Sequence, residues 1–541
     1  MSVRYRHSEE VDFVVIGAGA AGGVMAKELS TAGFRVVVLE QGPHLTAKDF
    51  THDEIDVAFR GALVNGAAKQ PQTFRKTSDE VAKPHMAAGY ARLVGGGSVH
   101  FTANFWRFHP EDFRERSTLG AISGASLADW PITYDELEPY YTKAEWELGI
   151  SGLAGSNPFD GPRSKPYPLP PMPVKSSGVL FERGAKKLGL HPFPAPVAIL
   201  SQPYRGRAAC THCGYCEAFG CEMNAKSSTL AALIPLAEKT GKCEIRPESY
   251  VRKIETNKKG RASAVIYFDR GGKEIRQRTK AVALCANGAE SPRLLLLSGI
   301  GNSSGMVGKN LIFDVSVYAL GLFEHEVNDH KSIVVTRVLH DFYRSDPKRG
   351  FYGGGGLDSR MDFTQSAFAG TALPADGPQW GADWKHAIGE GFTHTSGILA
   401  HTSCLSREQN SISLDPNLKD AWGLPAMRTT FQNHPDDFKA QHFLLDRQRE
   451  ILEAAGARKQ WNLPIEDTTD SVHLMGTCRM GDDPKTSVVD RWNRSHDVHN
   501  LFIVDGSSLV TCGRQQPTET IQALAYRAAE YMTKSARSGD L

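Results

Sequence analysis

The stretch "VDFVVIGAGAAGGVMAKEL" constrains the fold more than any other part of the chain. Val11 to Ile16 is apolar at every position but Asp12, the pattern of a strand buried on both faces of a parallel sheet. It leads directly into Gly17-x-Gly19-x-x-Gly22 and then into a segment whose Ala21, Met25 and Leu29 share one helical face. Strand, glycine turn and helix in that order suit a dinucleotide. Gly17 permits the tight turn, Gly19 lets a pyrophosphate meet bare backbone, and Gly22 lets helix and strand pack closely, with the helix N-terminus facing the phosphates. A second strand, "FRVVVLE", follows Gly33 and ends at Glu40, where a carboxylate would accept hydrogen bonds from ribose hydroxyls. The alternative is a glycine-rich turn in some other α/β fold. The motif alone does not separate NAD from FAD, although its N-terminal place leans towards a flavoprotein.

At 541 residues the chain exceeds the usual size of one hydrophobic core, so two or more domains are expected. Lys and Arg total 62 against 61 Asp and Glu, which leaves no field to gather nucleic acid or an anionic membrane. No run of about 18 uncharged apolar residues is present, so no membrane span is expected. The opening "MSVRYRHSEEVDFVVIG" has acidic residues where a signal peptide needs its apolar stretch, and no cleavable export signal is read.

Other segments mark organisation. "WPITYDELEPYYTKAEWEL", residues 130–148, reads as a helix capped by Thr133 with Glu136 three residues later. Residues 154–175 are proline-rich and must be extended or looped. "KAVALCANGAESPRLLLLSGIG" is a buried strand, a turn at Asn287-Gly288 and a helix. Residues 320–465 alternate strand-like and loop-like pieces, and the final "KSARSGDL" is expected to fray.

Four of the nine cysteines fall in "CTHCGYCEAFGC": Cys210, Cys213, Cys216 and Cys221. Structural zinc usually takes two cysteine pairs a dozen or more residues apart. Disulfides here would close only very short loops, with little entropic return. Iron–sulfur clusters are commonly held by a looped run of cysteines two to four residues apart. All three readings stand, with the iron–sulfur one preferred. The other five cysteines are scattered and read as buried thiols.

The chain resembles the glucose-methanol-choline oxidoreductases over nearly its whole length. The resemblance rests on the N-terminal fingerprint, "GGGSVHFTANFWRF", "CANGAESPRLLLLSGIG", "HLMGTCRMG" and "VDGSSLVTCGRQQPTETIQALAYRAAE". "DWPITYDELEPYYTKAEWELGI", "SVHFTANFWRFHPEDF" and the cysteine cluster look more specifically like catalytic subunits of bacterial FAD-dependent sugar dehydrogenases. The implied fold is α/β: a Rossmann-like FAD domain with an α+β substrate domain built on an antiparallel sheet. The expected division is FAD binding in 1–155, a proline-rich and cluster segment in 156–225, FAD binding again in 226–318, substrate binding in 319–465, and FAD binding with catalytic residues in 466–541.

Oxidising an alcohol needs a base for the hydroxyl proton and an acceptor for the hydride. The resemblance gives the base as His473. The second active-site position falls on Gln516, eleven residues after Asp505, where the family usually has histidine or asparagine; an amide can hold the substrate hydroxyl but cannot take its proton. Gln516 could instead cap the helix near Pro517. Carried over for FAD are Gly95, Gly97 and Ser98 at the pyrophosphate and isoalloxazine, His100 and Phe101 close to the flavin, Val251 at the adenine, Asp505 and Gly506 at the pyrophosphate and flavin, and Thr518. Each could also be plain core or turn. An iron–sulfur cluster (3Fe–4S or 4Fe–4S) beside a flavin would pass electrons singly to cytochrome c or another acceptor, with an exit near Arg205, Arg207 and Tyr215. By resemblance, a small companion subunit carries the export signal and the location is the bacterial periplasm; the plain alternative is cytoplasmic.

The expected function is oxidation of a secondary hydroxyl of a sugar or glycoside, with C3 preferred. Glucose, gluconate and polyol oxidation remain open, as does a hydroxynitrile lyase that keeps FAD without redox turnover, and a non-catalytic electron-transfer subunit.

Overall fold

The apolar strand Val11–Ile16 is buried on both faces and forms the middle of a seven-stranded sheet. In the computed structural model, which describes residues 3–541, its neighbours are parallel. Val36–Leu39 and then Cys243–Arg246 lie on one side, and the second half of Glu274–Leu284 lies on the other. Leu501–Ile503 pairs in parallel with that same half-strand. The first half of Glu274–Leu284 joins an antiparallel meander with Ala262–Phe268 and Tyr250–Thr256. Its burial alternates there and becomes continuous after Lys280, as the change from an open antiparallel face to a sandwiched parallel one requires.

The fingerprint is built as its glycines dictate. Gly17 has φ +92°, and a Cβ on Gly22 would lie 1.9 Å from the Gly17 carbonyl oxygen, so any side chain would force helix and turn apart. The helix Ala20–Thr31 packs on the C-terminal helix Thr518–Arg537. That last helix runs through Lys534 to Arg537, so the expected fraying is confined to the residues beyond it. The helix Tyr134–Leu148 starts where the sequence predicts, with Glu136 N donating to the Thr133 side chain and Glu136 returning to the Thr133 backbone.

A second, six-stranded antiparallel sheet runs in the order Lys459–Asn462, Val315–Leu322, Thr395–Thr402, Gly355–Arg360, Arg337–Leu339, Phe193–Pro194. One face carries Val317, Ala319, Leu357, Ile398 and Ala400, packed under the helices Ser176–Lys187 and Pro435–Ala455. The opposite face carries Ser316, Asp358, Arg360 and His401, because alternate residues of a strand share a face and paired residues point the same way. A smaller four-stranded sheet joins Ser411–Lys419 and Pro425–Thr430 to Gln72–Arg75 and Lys83–Pro84.

The six-stranded sheet departs from the expected division. It begins at Val315, inside the segment assigned to FAD binding, and takes Phe193–Pro194 from the proline-rich segment. Two-residue strands pair through tertiary contacts alone and leave no periodicity to read.

Candidate active site

A cavity of about 230 Å³ opens over the ends of the parallel strands. Gly17, Gly19, Glu40, Gly97, Ser98, Val251, Asp505, Gly506, Thr518 and His473 all line it. The N-termini of the helices Ala20–Thr31 and Thr518–Arg537 border it, an arrangement that favours phosphate oxygens. Gly96 has φ +54°, and a Cβ there would lie 2.6 Å from the Cα of Gly19, while a Cβ on Gly97 would meet nothing within 4 Å. Two loops thus approach through bare backbone and leave a slot between them. The residues present fit FAD: glycine edges and helix ends for the diphosphate, and a carboxylate at the end of the second strand.

That carboxylate, Glu40, is buried, and its two oxygens accept from the backbone N–H groups of Ala18 and Gly42, each at 2.9 Å. Burial outweighs these bonds and raises its pKa to about 7. Its remaining lone pairs are the ones left for a ribose. Asp505 instead holds protein together, accepting from Ser291 Oγ at 2.5 Å and from Ser507 N at 2.8 Å.

The other carried-over residues do not line the cavity. Gly22 serves the helix–turn contact, and Gly95, with φ +97°, sits against Val99 and Leu230. His100 and Phe101 lie towards the cysteine loop: Ala218 N donates to the His100 carbonyl at 2.9 Å, and Lys226 Nζ to the Phe101 carbonyl at 3.2 Å. Burial, followed by the Lys226 charge, lowers the His100 imidazole to about 4.

His473 is placed by a two-residue strand pair, in which Phe313 faces Leu474 and Ile312 faces Met475. The next residue along one strand is Asp314, and the one preceding the other is His473. Their side chains meet with His473 Nδ1 2.7 Å from Asp314 Oδ2. An ionised carboxylate only accepts, so Nδ1 carries the proton and Nε2 of neutral His473 keeps a lone pair. The side chain is 22% exposed and borders the cavity.

The same Asp314 oxygen lies 3.0 Å from Nδ1 of His401. His401 Nε2 in turn lies 3.5 Å from Asp358, whose carboxylate is held by Arg360. Burial alone would lower the His401 pKa, but Asp314 and Asp358 outweigh it and raise it to about 9. Burial would raise Asp314, yet the two imidazoles hold it well below the usual carboxylate range. His401 is therefore a buried cation and Asp314 an anion.

Gln516 does not cap the final helix, whose first turn receives no side-chain cap. Its amide meets His401 Nε2 at 2.5 Å. A charged His401 can only donate there, which puts the amide oxygen on that side and leaves the Gln516 NH2 free to donate. Asp314 and His401 are the residues sequence reasoning missed. The available signal was a single charged or titratable residue interrupting an apolar strand, in "LIFDVSV" and "GILAHTS".

The cysteine loop forms a second cavity, bordered by Cys210, Cys213, Cys216 and Cys221 together with His52 and Lys226. All four thiols are free. Left-handed backbone at His212, Gly214 and Ala218 turns the loop repeatedly, which lets residues three to five positions apart border one space. Among the described residues, no three or more His, Cys, Asp or Glu side chains stand close enough to hold a metal ion as they are placed. All four cysteines nonetheless border the one cavity, and sulfur donors of this kind are the type that would hold a thiolate-bound cluster. Tyr215 is partly exposed and stacks on His52, with centroids 4.1 Å apart.

A dinucleotide fold, a cavity edged by bare glycine backbone and helix ends, and an oriented imidazole at its border define a flavin-dependent oxidoreductase of CH–OH groups. The chain belongs to the GMC oxidoreductase family, whose two domain descriptions, both GMC oxidoreductase, match residues 11–315 and 406–525. It binds FAD. The chain is 31% identical to the gluconate 2-dehydrogenase flavoprotein of Pantoea cypripedii, covering 96% of this chain and 93% of that protein. It is 32% identical to the 2-methyl-1,2-propanediol dehydrogenase of Mycolicibacterium austroafricanum, over 97% and 96%. It is 30% identical to the fructose dehydrogenase large subunit of Gluconobacter japonicus, over 98% of each. The crystal structure of formate oxidase shares the fold, with TM-score 0.66 at 16% identity over 99% of this chain and all of that one. No helix among the described residues is long and apolar enough to cross a membrane.

Proposed function

We propose that the chain is the catalytic subunit of a dehydrogenase that oxidises a secondary hydroxyl of a neutral sugar or glycoside, with ring C3 preferred, to a keto sugar. The observation that carries this reading is the 2.7 Å bond from His473 to Asp314 at the edge of the FAD cavity. With Nδ1 committed to Asp314, Nε2 takes the hydroxyl proton as the carbon gives up its hydrogen with both electrons, so the alcohol becomes a ketone. FAD, when bound, supplies the hydride acceptor. The free N–H of Gln516 serves as a donor to a substrate hydroxyl.

Charge selects against an acid substrate. Asp314, Asp358 and Asp362 outnumber Arg360 and His401 here, and both cations are already held by carboxylates. Nothing in this group is left to hold a gluconate carboxylate. The preference for C3 rests on substrate chemistry: in a glycoside it is the ring hydroxyl with a free hydroxyl on each side, which gives a polar wall two further handles.

A cluster held by Cys210, Cys213, Cys216 and Cys221 would supply one-electron steps, suited to cytochrome c or a similar acceptor. Tyr215 and Arg205, at the loop surface, mark the exit. The names of two relatives, a flavoprotein and a large subunit, support a companion subunit here; if that companion carries an export signal, the location is the periplasm. The diol-oxidising relative favours a second reading, a small aliphatic diol as substrate.

Anaerobic addition of methyl glycosides, free sugars, polyols, gluconate and 2-methyl-1,2-propanediol to the purified protein separates these readings. Bleaching of the flavin by a glycoside, with a 3-keto product by NMR, is expected. Bleaching by the diol alone would replace the sugar assignment, and no bleaching by any alcohol would end the dehydrogenase reading.

A further inference from the structure

Lys226 is 2% exposed, yet it carries an ammonium group. Its Nζ donates to the carbonyls of Cys216 at 2.6 Å, Phe219 at 2.8 Å and Phe101 at 3.2 Å, which uses all three of its donors. The hydrogen bonds are therefore complete, but the charge has no carboxylate in contact with it. Among the described residues, none lies within 4.0 Å of Nζ, and Glu217, on the same loop, acts on it only from farther off. Burying an ammonium without a counter-ion costs several kcal/mol even after local relaxation. The other buried cations of the chain follow the ordinary rule: Arg107 sits on Glu145, Arg293 on Asp420, Arg360 on Asp358 and Lys175 on Asp329. Lys226 is the exception, and it borders the cavity of the four cysteines.

Resting on the iron–sulfur reading of the cysteine loop, we infer that Lys226 is the buried counter-ion of a negatively charged metal–thiolate group held there. Four thiolates bring four negative charges, more than the small net positive charge of an iron–sulfide core offsets, and one ammonium beside them balances part of the excess. Neutral thiols would leave the lysine charge unpaired. The same contacts give Lys226 a positioning role. It ties the Cys216–Phe219 part of the loop to Phe101, a few residues from the Gly97–Ser98 edge of the flavin cavity. A fixed positive charge at that point also favours the more reduced, more negative state of the group, and so raises its potential relative to the flavin.

The test compares wild type, Lys226→Met and Lys226→Arg as anaerobically purified full-length protein, each first checked for stoichiometric FAD. Readouts are iron per flavin and a redox titration followed by electron paramagnetic resonance. The expected result is that Lys226→Met either loses iron, or keeps it with the oxidised-to-reduced ratio at fixed potential shifted at least tenfold towards oxidised, about 59 mV for one electron. Lys226→Arg should stay near wild type. Wild-type iron content and potential in Lys226→Met would overturn the counter-ion role while leaving the cluster intact. A wild-type protein without metal would overturn the cluster reading and this inference together. If Lys226→Met does not fold, removal of metal from the wild type should loosen residues 210–226 in hydrogen exchange, and unchanged protection there overturns the inference.

Discussion

Nδ1 of His473 stands 2.7 Å from Oδ2 of Asp314, so one carboxylate fixes which nitrogen of the candidate base is left to face the cavity. The two residues are 159 positions apart and meet because the Ile312–Phe313 and Leu474–Met475 strands pair beside them. Asp314→Asn keeps the shape but can present an N–H to Nδ1, which would put the imidazole proton on Nε2. Flavin reduction by substrate should slow about 10²-fold or more with FAD still bound, in line with the worth of an oriented general base. Rapid-mixing absorbance measures this, and an unchanged rate would show that Asp314 does not set the tautomer.

His401 gives a pH dependence of stability. Its folded pKa, about 9, lies above the ordinary value of 6.5, so its ion pairs contribute fully below about pH 6.5 and are lost as the pH rises through 9. The shift corresponds to roughly 3 kcal/mol. Thermal unfolding of wild type and His401→Gln should therefore differ most at pH 6 and converge by pH 10. A gap that widens with pH would contradict the charged state assigned to His401.

Glu40 sets the pH dependence of cofactor binding. Ribose hydroxyls donate best to an ionised carboxylate, and burial raises this one to about 7 before FAD arrives. FAD affinity should therefore weaken as the pH falls below 7, by up to about tenfold per unit. Equilibrium dialysis across pH 5 to 8 tests the slope, and Glu40→Gln should flatten it. A wild-type slope of zero would mean that Glu40 serves only its bonds to Ala18 and Gly42.

Cys216 is the most buried of the four loop cysteines. Cys216→Ser should lower the iron content while sugar still bleaches the flavin, and electron delivery to cytochrome c should fall at least tenfold. Cytochrome reduction at the wild-type rate would remove the loop from the electron path.

Much of the fold was legible because the constraints are local. A left-handed Gly17, a Gly22 with no room for Cβ, a capping box at Thr133 and a doubly buried strand each leave a mark within a few residues. The motifs that carry His473 and the glycines bordering the cavity are local in the same way. His100 and Phe101 do not border the cavity, and their main-chain carbonyls bond to Ala218 and Lys226 of the cysteine-loop region. Asp314 and His401 were not legible as site residues, because their roles arise only when distant strands pair. Gln516 was placed by its motif, but its partner 115 residues away was not. The balance of charge around Lys226 depends on burial, which a sequence does not show.

The central claim is that His473 accepts the substrate proton while the flavin is reduced. Anaerobic mixing of a reactive glycoside with wild type and with His473→Ala, each at full FAD occupancy, tests it most directly. The account predicts rapid bleaching in the wild type and a rate 10² to 10⁴ times lower, at about the scale of one general base, in the variant. Bleaching of His473→Ala at the wild-type rate would contradict it.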